Sequence, residues 1–306
     1  MTRRHPNNAH DAPMGILNID KPAGMTSHDV VARVRRLSGQ RRVGHAGTLD
    51  PMATGVLVVC IGKATRIIEY LTETTKAYHA TVHLGLVTDT WDAEGTIIAK
   101  TPCEHVQRSD LDAAMNAFEG EIEQIPPMYS ALKRNGQPLY RLARQGITVE
   151  RAPRKITIHA IDVVDWASPL VTLDIVCSKG TYVRAIAHDL GQSLGVGAHL
   201  AALRRTAVGA FRIQEAVTLD QLEAEREQGQ WRRHLMPLHD ALTHMPAVTV
   251  VEETIQCLRY GQAVSLDIEA KGPLLCAYDE AHQLIAVLQP GDEPGIWRPC
   301  KVLSTE

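Results

Sequence analysis

One carboxylate in this chain is mounted as a reactive group would be. Asp50 lies in the run GHAGTLDPMATG, residues 44–55. Gly44, Gly47 and Gly55 permit backbone angles that other residues avoid. Pro51 biases Asp50 away from the helical region, so the acid is expected on a stiff, extended turn. A carboxylate held in that way can act as a nucleophile or stabilise a developing positive charge. The competing reading is an ordinary surface turn with a solvated aspartate, and the rest of the chain must decide between them.

A second stretch carries a different chemistry. Residues 125–155, IPPMYSALKRNGQPLYRLARQGITVERAPRK, hold Lys133, Arg134, Arg141, Arg144, Arg151, Arg154 and Lys155 against the single acid Glu150. The formal net charge of the whole chain is only -3, which by itself argues mildly against a nucleic-acid partner. Positive charge concentrated in one segment and interleaved with Tyr129 and Tyr140 reverses that inference, because cations meet phosphates and rings stack on bases. A solvated basic face is the alternative. Pro126, Pro127, Gly136 and Pro138 make the segment an excursion from a sheet, a thumb able to close on a ligand.

These groups need a scaffold, and the pattern along the chain predicts a mixed one. Residues 15–20 read as a strand, followed by a Lys21-Pro22-Ala23-Gly24 turn and a helix capped by Thr26 and Asp29, with Val30, Val34 and Leu37 on one face and Gly39 as its stop. The apolar run 56–61 fits a strand buried on both faces or a helix segment, with the strand preferred. Tyr78, Ala80, Val82 and Leu84 alternate with polar residues as in a strand with one buried face, which leaves His79 and His83 facing solvent. Ser109 and Asp112 are expected to open a helix that buries Leu111, Met115 and Phe118 and closes at Gly120. Strands follow over 156–164 and 171–177, then a helix over 181–194 with Tyr182 and Arg184 in its first turn. Arg204 and Arg205 lead into a strand ending near Ile213, and Thr218 with Gln221 caps a polar helix. From Pro246 onward short strands and turns predominate, with residues 274–278 and 284–288 paired across Asp279-Glu280-Ala281-His282, so a small β-rich appendix is expected.

Length and composition agree with a main domain plus a small appendix: 306 residues, 44% hydrophobic and 22% charged. Cys60, Cys103, Cys177, Cys257, Cys276 and Cys300 show no metal-type spacing and read as reduced and mostly buried. With no apolar run long enough to span a bilayer and no charged-then-apolar opening segment, a cytoplasmic protein is expected, and residues 1–12 read as a disordered leader.

With these motifs in view, the chain resembles the TruB family of tRNA pseudouridine synthases from about residue 15 to the C-terminus. The carriers are KPAGMTS (residues 21–27), GHAGTLDPMATG (44–55), KAYHATVHLG (76–85), PPMYSALK (126–133), GTYVR (180–184) and LRRTAVGAF (203–211), in family order. Ala46 stands where the family is expected to carry threonine and Met52 where it carries leucine. The resemblance implies an α+β fold: a catalytic domain, residues 13–245, on a mixed, largely antiparallel sheet with flanking helices and a basic thumb at about 125–155. A PUA-like RNA-binding domain over 246–306 completes it. It implies isomerisation of uridine 55 in the T-arm of tRNA, without guide RNA, metal, nucleotide or organic cofactor. A monomer is expected, because binding a tRNA needs no two-fold partner.

In that reaction the bond from C1′ to N1 breaks, the uracil turns while bound, and C5 joins C1′. Asp50 could attack C1′, add to the base at C6 or stabilise an oxocarbenium-like sugar; the sequence leaves all three open. By resemblance, Arg184 pairs with Asp50, Tyr78 stacks on the target base and handles a proton, and Tyr182 and Leu203 wall the pocket. His45 fills the space left by the flipped base. Lys21, with Pro22, stands behind the loop and is counted with the substrate-side positions more as support than as chemistry. Arg151, Arg154, Arg204 and Arg205 are expected on phosphates.

Overall fold

The computed structural model describes residues 13–134, 136–268 and 272–303. The 1–12 leader lies outside the described residues.

The apolar run after the Asp50 loop sets the architecture. It is a strand, Thr54–Ile61, whose side chains divide between two cores. Leu57, Val59 and Ile61 join Leu17 and Ile19 on one side. Val56, Val58 and Cys60 join Ile16 on the other. Burial on both faces explains why this segment shows no polar alternation. It pairs antiparallel with Gly15–Lys21 and parallel with Ala198–Val208, the latter through Arg204 and Arg205. The main sheet has ten strands. Its path runs Val217–Thr218, Gly15–Lys21, Thr54–Ile61, Ala198–Val208, Lys76–Leu84, Leu170–Cys177, Arg154–Ala167, Gly120–Gln124, with Val43–His45 and Phe211–Arg212 paired off the path. Only the pairings of Gly15–Lys21 with Val217–Thr218 and of Thr54–Ile61 with Ala198–Val208 are parallel, so the sheet is mixed and largely antiparallel, as expected.

The first core is covered by Ser27–Ser38 and Val183–Ser193, with Arg108–Met115 and Leu219–Ala224 packed beside them. Ser27–Ser38 begins at a capping box, with Thr26 N–H donating to Asp29 Oδ2 at 2.9 Å and Asp29 N–H to Thr26 Oγ1 at 3.1 Å, and it stops at Gly39 in the left-handed region, φ 69°. It buries Val30, Val34 and Leu37. The Val183–Ser193 helix buries Val183, Ile186 and Leu190 in the same core.

The basic segment is an excursion from the sheet. Gly120–Gln124 and Arg154–Ala167 pair antiparallel with Gln124 opposite Arg154, so everything between leaves and returns at one edge. Within it lie a two-strand ribbon, Lys133–Arg134 with Gln137–Pro138, and the Leu139–Arg144 helix.

The C-terminal appendix is a five-stranded sheet ordered Ala247–Thr249, Leu275–Tyr278, Leu284–Pro290, Ile296–Val302, Val264–Ser265. Its own core includes Leu258, Leu275, Ile285, Leu288 and Trp297. Cys276, Leu284 and Val287 face the other way into the second core with Ile16, Val56 and Val58, so the appendix is seated on the back of the main sheet. Among the described residues no helix is long and apolar enough to cross a membrane.

Three local expectations are corrected. The helix at 109 starts earlier, Arg108–Met115, because Asp110 accepts from Gln107 N–H at 2.8 Å and makes Gln107 the cap. Gly120 does not close that helix; it opens the next strand with φ 85°. Arg204 and Arg205 do not precede a strand but sit inside Ala198–Val208, because pairing on both sides overrides the helical propensity of its Ala-Leu run.

Candidate active site

The Asp50 loop is held from behind by two buried cations. Lys21 is 0% exposed, and its Nζ donates to the carbonyls of Met25 at 2.6 Å, Pro22 at 2.9 Å and Pro51 at 3.2 Å. Burial pushes its pKa down to about 8, against the pull of Asp50 and Glu94. Arg205 is 1% exposed; its Nε donates to Val56 O at 2.7 Å, Nη2 to Gly47 O at 3.1 Å and Nη1 to Thr48 O at 3.4 Å. Gly55 is required where the strand passes this arginine. Its φ is 98°, and a Cβ there would meet Arg205 O at 2.2 Å. Ser27 Oγ accepts from Leu49 N–H at 2.9 Å, and Gly24 N–H donates to Pro51 O at 2.9 Å. Backbone carbonyls that would otherwise be orphaned are thereby converted into anchors.

Lys21 is therefore wholly behind the loop, consistent with support and not with substrate contact. Arg205 is not available to a phosphate, which corrects that expectation: its guanidinium is consumed by loop carbonyls inside the protein. Arg204, its neighbour on the opposite face, is partly open and paired to Asp20 at 2.8 Å.

On the solvent side Asp50 meets Arg184. The guanidinium Nη2 donates to Asp50 Oδ1 at 3.2 Å, and Nε lies 3.0 Å from Oδ2. Arg184 comes from the second position of the Val183–Ser193 helix, whose cap residue, Tyr182, is fixed by Gln124: the amide accepts from Tyr182 N–H at 2.8 Å and donates to Tyr182 O at 3.1 Å. Arg184 makes three further contacts. Nη2 donates to Tyr129 O at 2.7 Å, Nη1 donates to Thr90 O at 3.2 Å, and Nη1 lies 3.1 Å from Asp92 Oδ2. One cation thus serves two carboxylates.

Asp50 is 35% exposed at its side chain, yet protein surrounds the carboxylate densely, as at the floor of a recess. Its pKa is raised, first by that desolvation, then by Asp92, with Arg184 and Lys21 opposing. Glu94 is raised too, by its own desolvation first and by the neighbouring Asp92 and Asp50 charges.

Tyr78, on the Lys76–Leu84 strand, is 8% exposed and lies opposite Arg205 in the sheet; burial raises its phenol pKa. Leu203 is 8% exposed in the same core. Burial also raises the pKa of Tyr182, opposed by the nearby Ser130 hydroxyl and by Arg154 and Arg184. The charge of Asp50 acts on both tyrosines and that of Arg184 on Tyr182, so the two rings share the environment of the pair. His45 ends the short Val43–His45 strand, its ring edge-on to His28 at 5.4 Å. Its Nδ1 is buried without a hydrogen-bond partner among the described residues, and burial pushes its pKa down to about 4, so it is neutral near pH 7. Arg151 is half-buried, donates to Pro126 O at 3.1 Å and lies over the Trp91 ring. Arg154 is exposed at the stem of the basic excursion.

Comparison with known proteins identifies the family. Residues 35–183 match the N-terminal domain of TruB family pseudouridylate synthases, and residues 184–243 match the C-terminal domain of tRNA pseudouridylate synthase B. The tRNA pseudouridine synthase B of Dehalococcoides mccartyi strain BAV1 is 46% identical over 94% of this chain and 96% of its own length. The chain belongs to the TruB family. The Geobacillus thermodenitrificans protein of the same name is 42% identical over 94% of this chain and 99% of its own. Among solved structures, a Cbf5–Nop10–Gar1 complex matches 96% of this chain and 86% of the matched one, with TM-score 0.75 and 28% identity. An H/ACA RNP bound to a substrate RNA containing 2'-deoxyuridine matches 98% and 88%, with TM-score 0.73 and 25% identity. The pseudouridine synthase fold is thus common to all of them, and the boundary between the two TruB family models falls beside Arg184, inside the Val183–Ser193 helix.

Three contributors to the site escaped the sequence reading. Asp92, 3% exposed, is the second anion on Arg184; its signal was the TDTWD run, where Thr90 Oγ1 donates to Asp92 Oδ1 at 2.6 Å. Gln124, 2% exposed, fixes Tyr182, and nothing in its local sequence marks it. The Tyr129 carbonyl reaches Arg184 as backbone, invisible to residue type but foreshadowed by the PPMYSALK motif.

Proposed function

We propose that this chain is a cytoplasmic, stand-alone tRNA pseudouridine synthase that isomerises uridine 55 of the T-arm. The observation that carries the reading is the Asp50–Arg184 pair: a carboxylate on a rigidly backed loop, recessed from bulk water and paired to a buried guanidinium that opposes the rise burial imposes on its pKa. Pseudouridine synthases are isomerases, and the atoms balance without a co-reactant. The C1′–N1 bond breaks, a C1′–C5 bond forms, and the hydrogen on C5 leaves while N1 gains one. Asp50 faces the sugar, as attacking group or as electrostatic partner of the cationic carbon. Arg184 sets its orientation and favours its charged form against the effect of burial. Tyr78 lies against the uracil and is a candidate for the proton step; Tyr182 and Leu203 wall the base. His45, neutral and with an unused ring nitrogen, takes the vacated place of the flipped nucleotide, whose extrusion costs roughly a few kcal/mol.

In this reading Arg154, which is exposed, and Arg204, which is partly open beside Asp20, meet phosphates. The basic excursion and the PUA-like C-terminal unit extend the contact along the arm. Relatives above 40% identity over nearly the full length carry the tRNA synthase name, whereas the solved neighbours from guide-RNA assemblies stand at 28% and 25%, which favours an enzyme that needs no guide. The test is purified protein, as a monomer by light scattering, with an unmodified tRNA transcript and no other RNA. Primer extension after carbodiimide treatment should stop at position 55 alone. A product that forms only after other RNA is added would favour the guide-dependent reading, and free uracil would favour a hydrolase.

A further inference from the structure

We propose that Trp91 is a positioning residue for Arg184, the joint through which the basic excursion is locked to the Asp50–Arg184 pair. The proposal rests on the reading of that pair given above. Trp91 has φ 64°, in the left-handed region that bulky L-residues rarely enter. Its ring lies parallel to His188 at 4.1 Å and 10°, and His188 sits one turn beyond Arg184 on the same helix. The Arg151 guanidinium lies 5.8 Å from the indole centroid while its Nη1 donates to Pro126 O. His188 Nδ1 and Arg151 Nε are both buried without hydrogen-bond partners among the described residues, so the indole is what each of these side chains packs on.

The residues on either side of Trp91 are the ones that grip Arg184: the Thr90 carbonyl and the Asp92 carboxylate both approach Nη1, at 3.2 and 3.1 Å. Trp91 O accepts from Leu200 N–H at 3.0 Å, which ties the same turn to the sheet. From the excursion, Tyr129 O takes Nη2. Three elements thus converge on one guanidinium, and Trp91 touches the helix that carries it and the excursion that completes it. Seating the excursion on the catalytic domain and completing the contacts of Arg184 are one event. Arg151, half-buried in this joint, acts on turnover and not as a free phosphate contact.

The experiment is a double-mutant cycle on tRNA with single-turnover rates, tRNA Kd and pH profiles. Trp91→Ala should slow turnover roughly 10- to 100-fold with Kd within about three-fold, and Trp91→Phe should recover most of the rate. The charged and titratable groups around Asp50 are Arg184, Asp92, Lys21, Glu94, Tyr78 and Tyr182, and those at the indole are His188 and Arg151. A loosened Arg184 stabilises the Asp50 carboxylate less, so the acid limb should move to higher pH in Trp91→Ala. In an Arg184→Lys background the further loss from Trp91→Ala should shrink to less than about two-fold. Should Trp91→Ala not fold, Arg151→Ala should show the same shifted limb. Full additivity in the cycle, or a rate loss with an unmoved acid limb, overturns the proposal. Asp50→Asn, measured alongside, separates the two readings: wild-type turnover there rejects the site assignment itself, whereas additivity rejects only the role of Trp91.

Discussion

Arg184→Met removes the cation from between two carboxylates, and its consequence for stability can be worked from the geometry. Arg184 and Asp92 are 5% and 4% exposed at their side chains, whereas Asp50 is 35% exposed. Removing one member of a buried pair costs about 3–5 kcal/mol, because the other charge is left uncompensated. Water reaches Asp50 and relieves part of its penalty, so the loss falls at the lower end, about 3 kcal/mol, and comes mainly from Asp92. On a scale of about 2–4 °C per kcal/mol for large domains, Tm should fall by about 6–12 °C. The pH dependence has a definite sign. Asp50 already has a folded pKa above its unfolded value, so stability declines as pH rises from the unfolded value of 3.8 and the loss is complete above the folded pKa. Without Arg184 the Asp50 carboxylate is pushed higher still, and the deficit grows with pH. Thermal unfolding of wild type and variant at about pH 8 and about pH 5 should show the larger gap at the higher pH. A gap within about 2 °C at the higher pH, or one that widens on acidification, would refute the reasoning.

Other outcomes follow from the same contacts. Gly55→Ala sets a Cβ 2.2 Å from a backbone oxygen of the neighbouring strand at φ 98°, so it should lower stability by at least about 3 kcal/mol in urea unfolding; a midpoint near wild type would contradict that packing. Arg154→Ala should weaken tRNA binding and reduce the log Kd against log salt slope by about one, while Arg205→Ala should act on stability and turnover; a slope unchanged in the first variant means that Arg154 meets no phosphate. With the Asp50 pKa raised, single-turnover rate should fall on acidification along a limb above the ordinary carboxylate value of 3.8, and a flat profile across that range would argue against an essential Asp50 carboxylate. Lys21→Met, which deprives three loop carbonyls of their donor, should reduce the rate with tRNA Kd within a few-fold, as measured by filter binding.

Much of the fold was legible because local signals agreed with the tertiary outcome. The Thr26–Asp29 capping box, the Gly39 stop and the alternation through Tyr78 each describe one element and need no partner to be read. The run 56–61 was ambiguous for a physical reason: with both faces buried it has no polar side to report its period. The strand Ala198–Val208 was found only in its second half, since its helical propensity is overridden by neighbours distant in sequence. The site divided in the same way. Asp50 and Arg184 stand out because their motifs are unusual, but whether an arginine meets phosphate or loop carbonyl depends on which face of a strand it occupies. Arg204 and Arg205 are adjacent in sequence and opposite in fate. Asp92, Gln124 and the Tyr129 carbonyl reach the site from three separate elements, and no spacing in the chain encodes that convergence.

The most direct test of the central claim is tritium release from unmodified tRNA labelled at uracil C5, comparing purified wild type with Asp50→Asn at matched tRNA occupancy. Joining C5 to C1′ requires C5 to lose its hydrogen, so wild type should release the label from position 55, and Asp50→Asn should release none while binding tRNA within a few-fold as tightly. Equal release by both proteins, or release by neither while both bind, would contradict an isomerase built on Asp50.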